Sequence, residues 1–193
     1  MVQWSRRAAA RLASIHHLMW NARCSRWTDL LLHNHLDEHS KFQCTQLCSV
    51  HACSWLPFLW GMPLPDKCAV DHVVAAMRTS GLVRAGGLAT TAVTTGQQWD
   101  ASCSWAPLVC TWVDGLCKYG SVEGVQLGHS LGETFLSAVW KGMSKTGSIW
   151  EKYSTDVCGG CGHGGEYEVQ VGFGWTNGTV LHFVLNLGLS IHK

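Results

Sequence analysis

At 193 residues the chain has room for one domain, or for part of a larger one. Its formal net charge is +1 and only 14% of its residues are charged, so no basic patch points to nucleic acid and no acidic tail points to a solvating arm. Eleven tryptophans are unusual at this length; they suit a carbohydrate enzyme and equally suit a large aromatic core.

The first residues, MVQWSRRAAARLASIHHLMW, carry basic side chains but lack the continuous apolar stretch of a secretory signal. Leu12, Ile15 and Met19 recur at helical spacing and predict a helix from about Arg6 to Trp20. Leu30 to Ser54 reads as mostly irregular. Pro65 and Asp66 give a helix-start signal, Val70, Val73, Val74 and Met77 form one apolar face, and Gly81 supplies the stop. Pro107 suits the first turn of another helix, lined by Leu108, Val109, Trp112, Val113 and Leu116 and ended at Gly120. Leu127, Leu131, Phe135, Val139 and Met143 then recur every four residues up to a break at Gly147. A last helix is expected from about Asn177 to Leu187. No segment shows sustained alternation, so little strand is expected. The late apolar run Val180 to Ile191 is too short to span a bilayer and contains His182 and Asn186, so no membrane segment is expected either.

The ten cysteines match no recognisable disulfide framework, and a chain this long can build a core without staples. Cys158, Cys161 and His163 form C-x2-C-x-H, three soft ligands close together. Structural zinc wants four, and no second paired motif offers another, so no metal site is expected from this motif.

The stretch from Glu151 to Gly178, EKYSTDVCGGCGHGGEYEVQVGFGWTNG, carries the densest chemistry. It opens on one carboxylate, passes through a glycine-rich loop to a second at Glu166, and closes on Phe173, Trp175 and Asn177. Glycine lets backbone approach a ligand closely. Carboxylates bind hydroxyls or move protons, and aromatic rings cover the apolar face of a sugar. The same composition also occurs in plain turns.

The order of these residues is more specific. GGEYEVQVGFGWTNG closely resembles the glycine-rich block near the C-terminus of trehalases, enzymes that split α,α-trehalose into two glucoses. GQQWDASCSWAP, from Gly96 to Pro107, resembles the other trehalase signature, QWDxPNxWxP. Trp27, Asp29, Pro57 and Trp60 keep a third, sparser skeleton. Weaker similarity runs from about Arg6 to about Leu185, and the chain resembles the C-terminal third of such an enzyme.

The resemblance implies an all-α fold, part of an (α/α)6 toroid with about five or six of its twelve helices. Residues 1–193 would then form the C-terminal portion of a single catalytic domain. It implies an inverting glycosidase acting on a small sugar, trehalose, with no cofactor. Glu151 in the EKY triplet aligns with the family's general base, and Glu166 with a glutamate that binds substrate hydroxyls. Gln98, Trp99 and Asp100 lie in the block bordering the sugar pocket, and Trp175 and Asn177 in the block packing around it. Each has a plainer reading. Glu151 could be a surface glutamate, Glu166 could anchor a turn, Asp100 could bind loop amides, Trp99 and Trp105 could be core, and Trp175 could be packing.

The chain departs from the family pattern at Ser102, Cys103 and Ser104, at Ser154, and at Cys161 and His163, which stand where trehalases usually have glycine. The family's general acid, an aspartate in a Gly-Trp-Asp motif, and its substrate-clamping arginines belong to segments upstream of the region matched here. This implies that the chain alone hydrolyses little or nothing. The alternative is a non-catalytic trehalose-binding or regulatory relative. No compartment can be read, since full-length relatives are often secreted or membrane-anchored.

Overall fold

Helix α4 (Ala106–Tyr119) is the element on which the others pack. Pro107 sits in its first turn, where a missing N–H costs nothing. Val109, Trp112, Val113 and Leu116 are fully buried along it. The Trp112 indole donates to the Ala52 carbonyl at 3.0 Å and meets Trp55 edge-on at 5.6 Å. The architecture comes from a computed structural model, which describes residues 2–36, 42–65 and 69–191.

Two glycines let backbones close on α4. At Gly115, a Cβ would lie 2.6 Å from the Leu59 carbonyl oxygen, so α2 (Leu56–Leu59) can press directly onto α4. Gly128 does the same for α5 (Val122–Thr146), where a Cβ would lie 3.3 Å from the Val113 carbonyl. Leu127, Leu131, Phe135 and Val139 line the buried face of α5, as their spacing predicts. The helix ends at Gly147, in the left-handed conformation with φ 72°. Helix α3 (Val70–Arg78) buries Val73, Val74 and Met77. Asp66, half of its expected start signal, lies outside the described residues. Helix α6 (Gly174–Leu185) begins slightly earlier than expected and buries Phe183 in the core. Helix α1 (Val2–Met19) lies at the periphery, with Leu12, Ile15 and Met19 on its less exposed face.

Among the described residues the helices are joined by four two-stranded antiparallel ladders: β1 (Trp20–Asn21) with β2 (Arg26–Trp27), β3 (Leu30–Leu36) with β4 (Phe42–Gln46), β5 (Val83–Arg84) with β6 (Gly87–Leu88), and β7 (Cys103–Trp105) with β8 (Lys152–Ser154). The β3–β4 ladder corrects the expectation of mostly irregular chain over Leu30 to Ser54, of which residues 37–41 lie outside the described residues, and Ala52–Trp55 adds a 3-10 turn. The signal was absent because consecutive positions of β3 both face outward: Leu31 and Leu32 are 49% and 61% exposed. The other ladders run two or three residues, too short for periodicity to register.

Several large apolar side chains face outward, among them Trp60, Trp140, Leu181 and Leu185. Among the described residues no helix is long and apolar enough to cross a membrane.

Candidate active site

Asp100 folds the first block. Its Oδ2 accepts the Thr95 and Gly96 N–H groups at 2.7 and 2.6 Å, and its Oδ1 accepts the Thr95 hydroxyl at 2.7 Å. Burial alone would raise its pKa, but these bonds, with the Gln97 N–H, hold it below the ordinary aspartate value of 3.8. The turn so formed leaves Gln98 half-buried and Trp99 44% exposed.

The β7–β8 ladder sets this block against the second one. Cys103 pairs with Ser154, Ser104 with Tyr153, and Trp105 with Lys152. Beyond β8, Thr155 donates its N–H to the Ser102 carbonyl at 3.0 Å and its hydroxyl to the Ala101 carbonyl at 2.7 Å. The glycine-rich loop then folds back over the first block. Gly164 and Gly165 have φ of 83° and 92°, and a Cβ at Gly164 would lie 2.7 Å from the Gln97 carbonyl oxygen. Glycine is required there both for the left-handed backbone and for the close approach.

Glu151 sits at the entrance to β8 and is only 3% exposed. Its main chain is held on both sides: the N–H donates to the Gln170 carbonyl at 2.9 Å, and the carbonyl accepts the Trp175 indole N–H at 2.9 Å and the Thr176 hydroxyl at 3.3 Å. Its carboxylate accepts the Tyr167 hydroxyl at 3.2 Å and the Gln170 N–H at 3.5 Å. Burial, together with the neighbouring Glu151 charge and this bond, raises the Tyr167 phenol above its usual pKa of 10.0, which keeps it a donor.

Lys152 is fully buried. Its ammonium donates to the Gly164 carbonyl at 2.8 Å and the His163 carbonyl at 3.3 Å, and lies 5.1 Å from the Trp105 ring centroid. A charge this deep is stable only when its donors are used. Lys152 therefore fastens the glycine loop to the floor beneath it.

The aromatic residues form one connected set. Trp99 stacks on Trp105 at 4.1 Å, Trp105 meets Trp175 edge-on at 5.5 Å, and Trp175 meets Phe173 at 4.5 Å. Trp99, Trp105 and Trp175 form one wall of a cavity of about 640 Å³; Trp27, Asp29 and His51 contribute to the rest. This volume falls within the usual range for small-molecule sites. Glu151 does not line the cavity; it joins the wall through Trp175. Two buried polar atoms nearby have no hydrogen-bond partner among the described residues: the Trp27 indole nitrogen and Gln98 Oε1. Unused buried polar groups need an explanation, and a ligand is one.

Of the residues singled out from sequence, Gln98, Trp99, Asp100, Glu151 and Trp175 are brought into one assembly. Glu166 lies in the same loop but is exposed and makes no hydrogen bond to a described residue. Asn177 is half-buried on α6. Lys152, Tyr167 and His51 were missed. Lys152 sits inside the EKY triplet, and a lysine between two residues of a motif was the available signal; nothing local marks His51. The C-x2-C-x-H ligand atoms of Cys158, Cys161 and His163 are not gathered together; Cys103 instead donates its thiol to the His163 carbonyl.

Comparison with known proteins places these observations. The trehalase family model matches residues 1–188. A probable trehalase of Oryza sativa subsp. japonica is 33% identical over 96% of this chain, which spans 34% of the rice protein. A periplasmic trehalase of Xanthomonas oryzae pv. oryzae is 50% identical over 72% of this chain and 23% of its own length. The chain thus spans about a third or less of these relatives. The solved structure of the neutral trehalase of Saccharomyces cerevisiae superposes on 95% of this chain with a TM-score of 0.66 at 18% identity, covering 30% of that enzyme. At that identity the match speaks for the fold: part of the helical toroid, with short ladders between its helices.

Proposed function

The chain belongs to the trehalase family, and we propose that residues 1–193 form the C-terminal portion of a trehalase-like catalytic domain that hydrolyses α,α-trehalose with inversion. In this reading Glu151 is the general base. Trp99 and Trp175 cover sugar faces, Gln98 and Glu166 bind hydroxyls, and Asp100 borders the pocket while holding its rim. The single observation that carries the reading is the placement of Glu151: a buried carboxylate, aimed by Tyr167 and Gln170, at the seam where the two signature blocks meet.

Inversion needs two carboxyls about 6.5–9.5 Å apart, one to protonate the leaving oxygen and one to activate water on the opposite face. Glu151 is suited to the second task. Its main chain is fixed by Trp175, Thr176 and Gln170, so the carboxylate can take a proton from water without the backbone moving. The first task falls to an acid in the remainder of such a domain, as the resemblance implies. Lys152, through its hold on the His163 and Gly164 carbonyls, keeps the loop bearing Glu166 and Tyr167 over the site.

The test is a chimera. The corresponding segment of the Xanthomonas periplasmic trehalase, 50% identical to this chain over 138 residues, is replaced with residues 1–193, and glucose release from trehalose is measured. The expected result is activity that falls roughly 10²–10⁴-fold in Glu151→Gln. A folded chimera without activity, beside an active parent, would reject the catalytic reading. It would favour a relative that binds trehalose without cleaving it, which calorimetry with trehalose would then detect.

A further inference from the structure

Away from the glycine loop, on the far side of Trp175, helices α4 and α6 bring together three side chains that glycoside hydrolysis does not use. Cys110 and Asp114 stand one turn apart on α4, and His182 faces them from α6. One ligand atom from each lies within 4.8 Å of the others, the closest such grouping of three among the described residues. We propose that Cys110, Asp114 and His182 bind a divalent ion of the zinc class, with water completing the coordination, and that this ion clips α4 to α6. The inference is independent of the trehalase reading.

The sulfur–oxygen distance is already close to what such an ion needs, and the nitrogen–oxygen pair is shorter. Metal–ligand bonds of zinc to sulfur and oxygen imply about 3.6 Å between those two atoms in a tetrahedron. Cys110 Sγ and Asp114 Oδ2 are 3.7 Å apart. The equivalent nitrogen–oxygen edge is about 3.4 Å. His182 Nε2 and Asp114 Oδ1 are 2.7 Å apart, so this pair need open by less than an ångström, or bind through the other oxygen. Asn186, which caps the C-terminal end of α6 one turn after His182, lies 2.9 Å from His182 Nδ1. The nearer Asn186 atom is its amide nitrogen, a donor; with the amide turned over, its oxygen accepts Nδ1–H, which orients the imidazole and leaves the Nε2 lone pair for the metal.

The donor set selects the ion. Thiolate and imidazole favour zinc and its neighbours over magnesium or calcium, which take oxygen. The His182 and Asp114 side chains are 29% and 46% exposed, and an adjoining crevice of about 290 Å³ is lined by Cys110, Asp114, Thr179 and Trp60. The ion therefore has an entry path and room for water. Helix α6 also carries Trp175 and Thr176, which hold the Glu151 carbonyl, so fixing α6 against α4 fixes that side of the glycine-loop site.

The test is cobalt(II) titration of the 193-residue chain, followed by its visible spectrum and by zinc displacement. The expected result is one equivalent bound, with tetrahedral ligand-field bands and a thiolate charge-transfer band. Cys110→Ser loses the charge-transfer band, and His182→Gln weakens binding by more than about 100-fold, while Cys158→Ser/Cys161→Ser leaves both unchanged. Asn186→Ala, an exposed change that spares the core, keeps the band and weakens affinity by roughly 10–100-fold. Zinc raises the melting temperature of the unmodified chain and not that of His182→Gln. Absence of the band means that His182 and Asp114 are a hydrogen-bonded pair only, and overturns the site. So does a band that survives Cys110→Ser, or an affinity that Asn186→Ala leaves unchanged.

Discussion

The α4–α5 core and the glycine-rich loop are held by opposite means. In the core, Trp112, Val113, Leu116 and Phe135 exclude water, and position is set by shape. In the loop, residues 163–168 are exposed, and position is set from below by Lys152 and from the side by hydrogen bonds to Gln170 and Gly96. The contrast shows that stability and site geometry rest on different residues. A change in one region should therefore leave the other largely readable.

The hardest way to break this separation is Trp112→Ala. It removes a fully buried indole and its bond to Ala52, and should cost about 3–5 kcal/mol in denaturant unfolding. If the loop is independent, its local amide exchange should change only through the global opening. Lys152→Met tests the other side. It removes two charge-assisted bonds, worth about 1.5–3 kcal/mol each to the loop. Amide exchange over residues 159–166 should speed up by at least roughly tenfold, while the unfolding midpoint moves less than for Trp112→Ala. An equal loss of global stability would show the loop to be part of the core.

Gly115→Ala is a finer probe of shape. The new methyl would meet Leu59 backbone at 2.6 Å, and overpacking of this kind costs about 1–3 kcal/mol. A neutral result, read in the same unfolding assay, would mean that α2 slides off α4 freely. The smallest effect is expected from Asp100→Asn and concerns pH. The folded pKa of Asp100 is depressed, so its stabilisation is present above the ordinary value of 3.8 and is lost as pH falls through the lower folded value. The substitution should lower neutral-pH stability and flatten the acid limb of the melting curve. An unchanged acid limb would mean that the loop bonds do not depend on the charge.

The helices were legible where their pattern was long. The four-residue repeat from Leu127 to Met143 and the Pro107 start each produced the helix expected. The candidate site was legible as two blocks, which the structure packs together. What could not be read was how they meet. The β7–β8 ladder is three residues long and fully buried on both faces, so Cys103–Trp105 and Lys152–Ser154 carry no alternation. Lys152 was hidden for a related reason: a buried lysine declares itself only through acceptors supplied by residues distant in sequence. Asp100 shows the limit of motif reading, since the same carboxylate can border a pocket and tie a turn, and only its partners reveal the second task.

The grip of Lys152 on the loop has one more consequence. Its two acceptors are main-chain carbonyls, and every amino acid has one. An anchor made to backbone does not select the side chains it holds, so a position such as His163 can vary without loss of the bond, while Gly164 and Gly165 stay restricted by their left-handed backbone and close approach. Cys161 and His163 stand beside this anchor, where trehalases usually have glycine, and the thiol of Cys103 reaches the same His163 carbonyl. The seat of the loop is thus set from its main chain, and loop variants that keep Gly164 and Gly165 could be exchanged as cassettes above a fixed lysine.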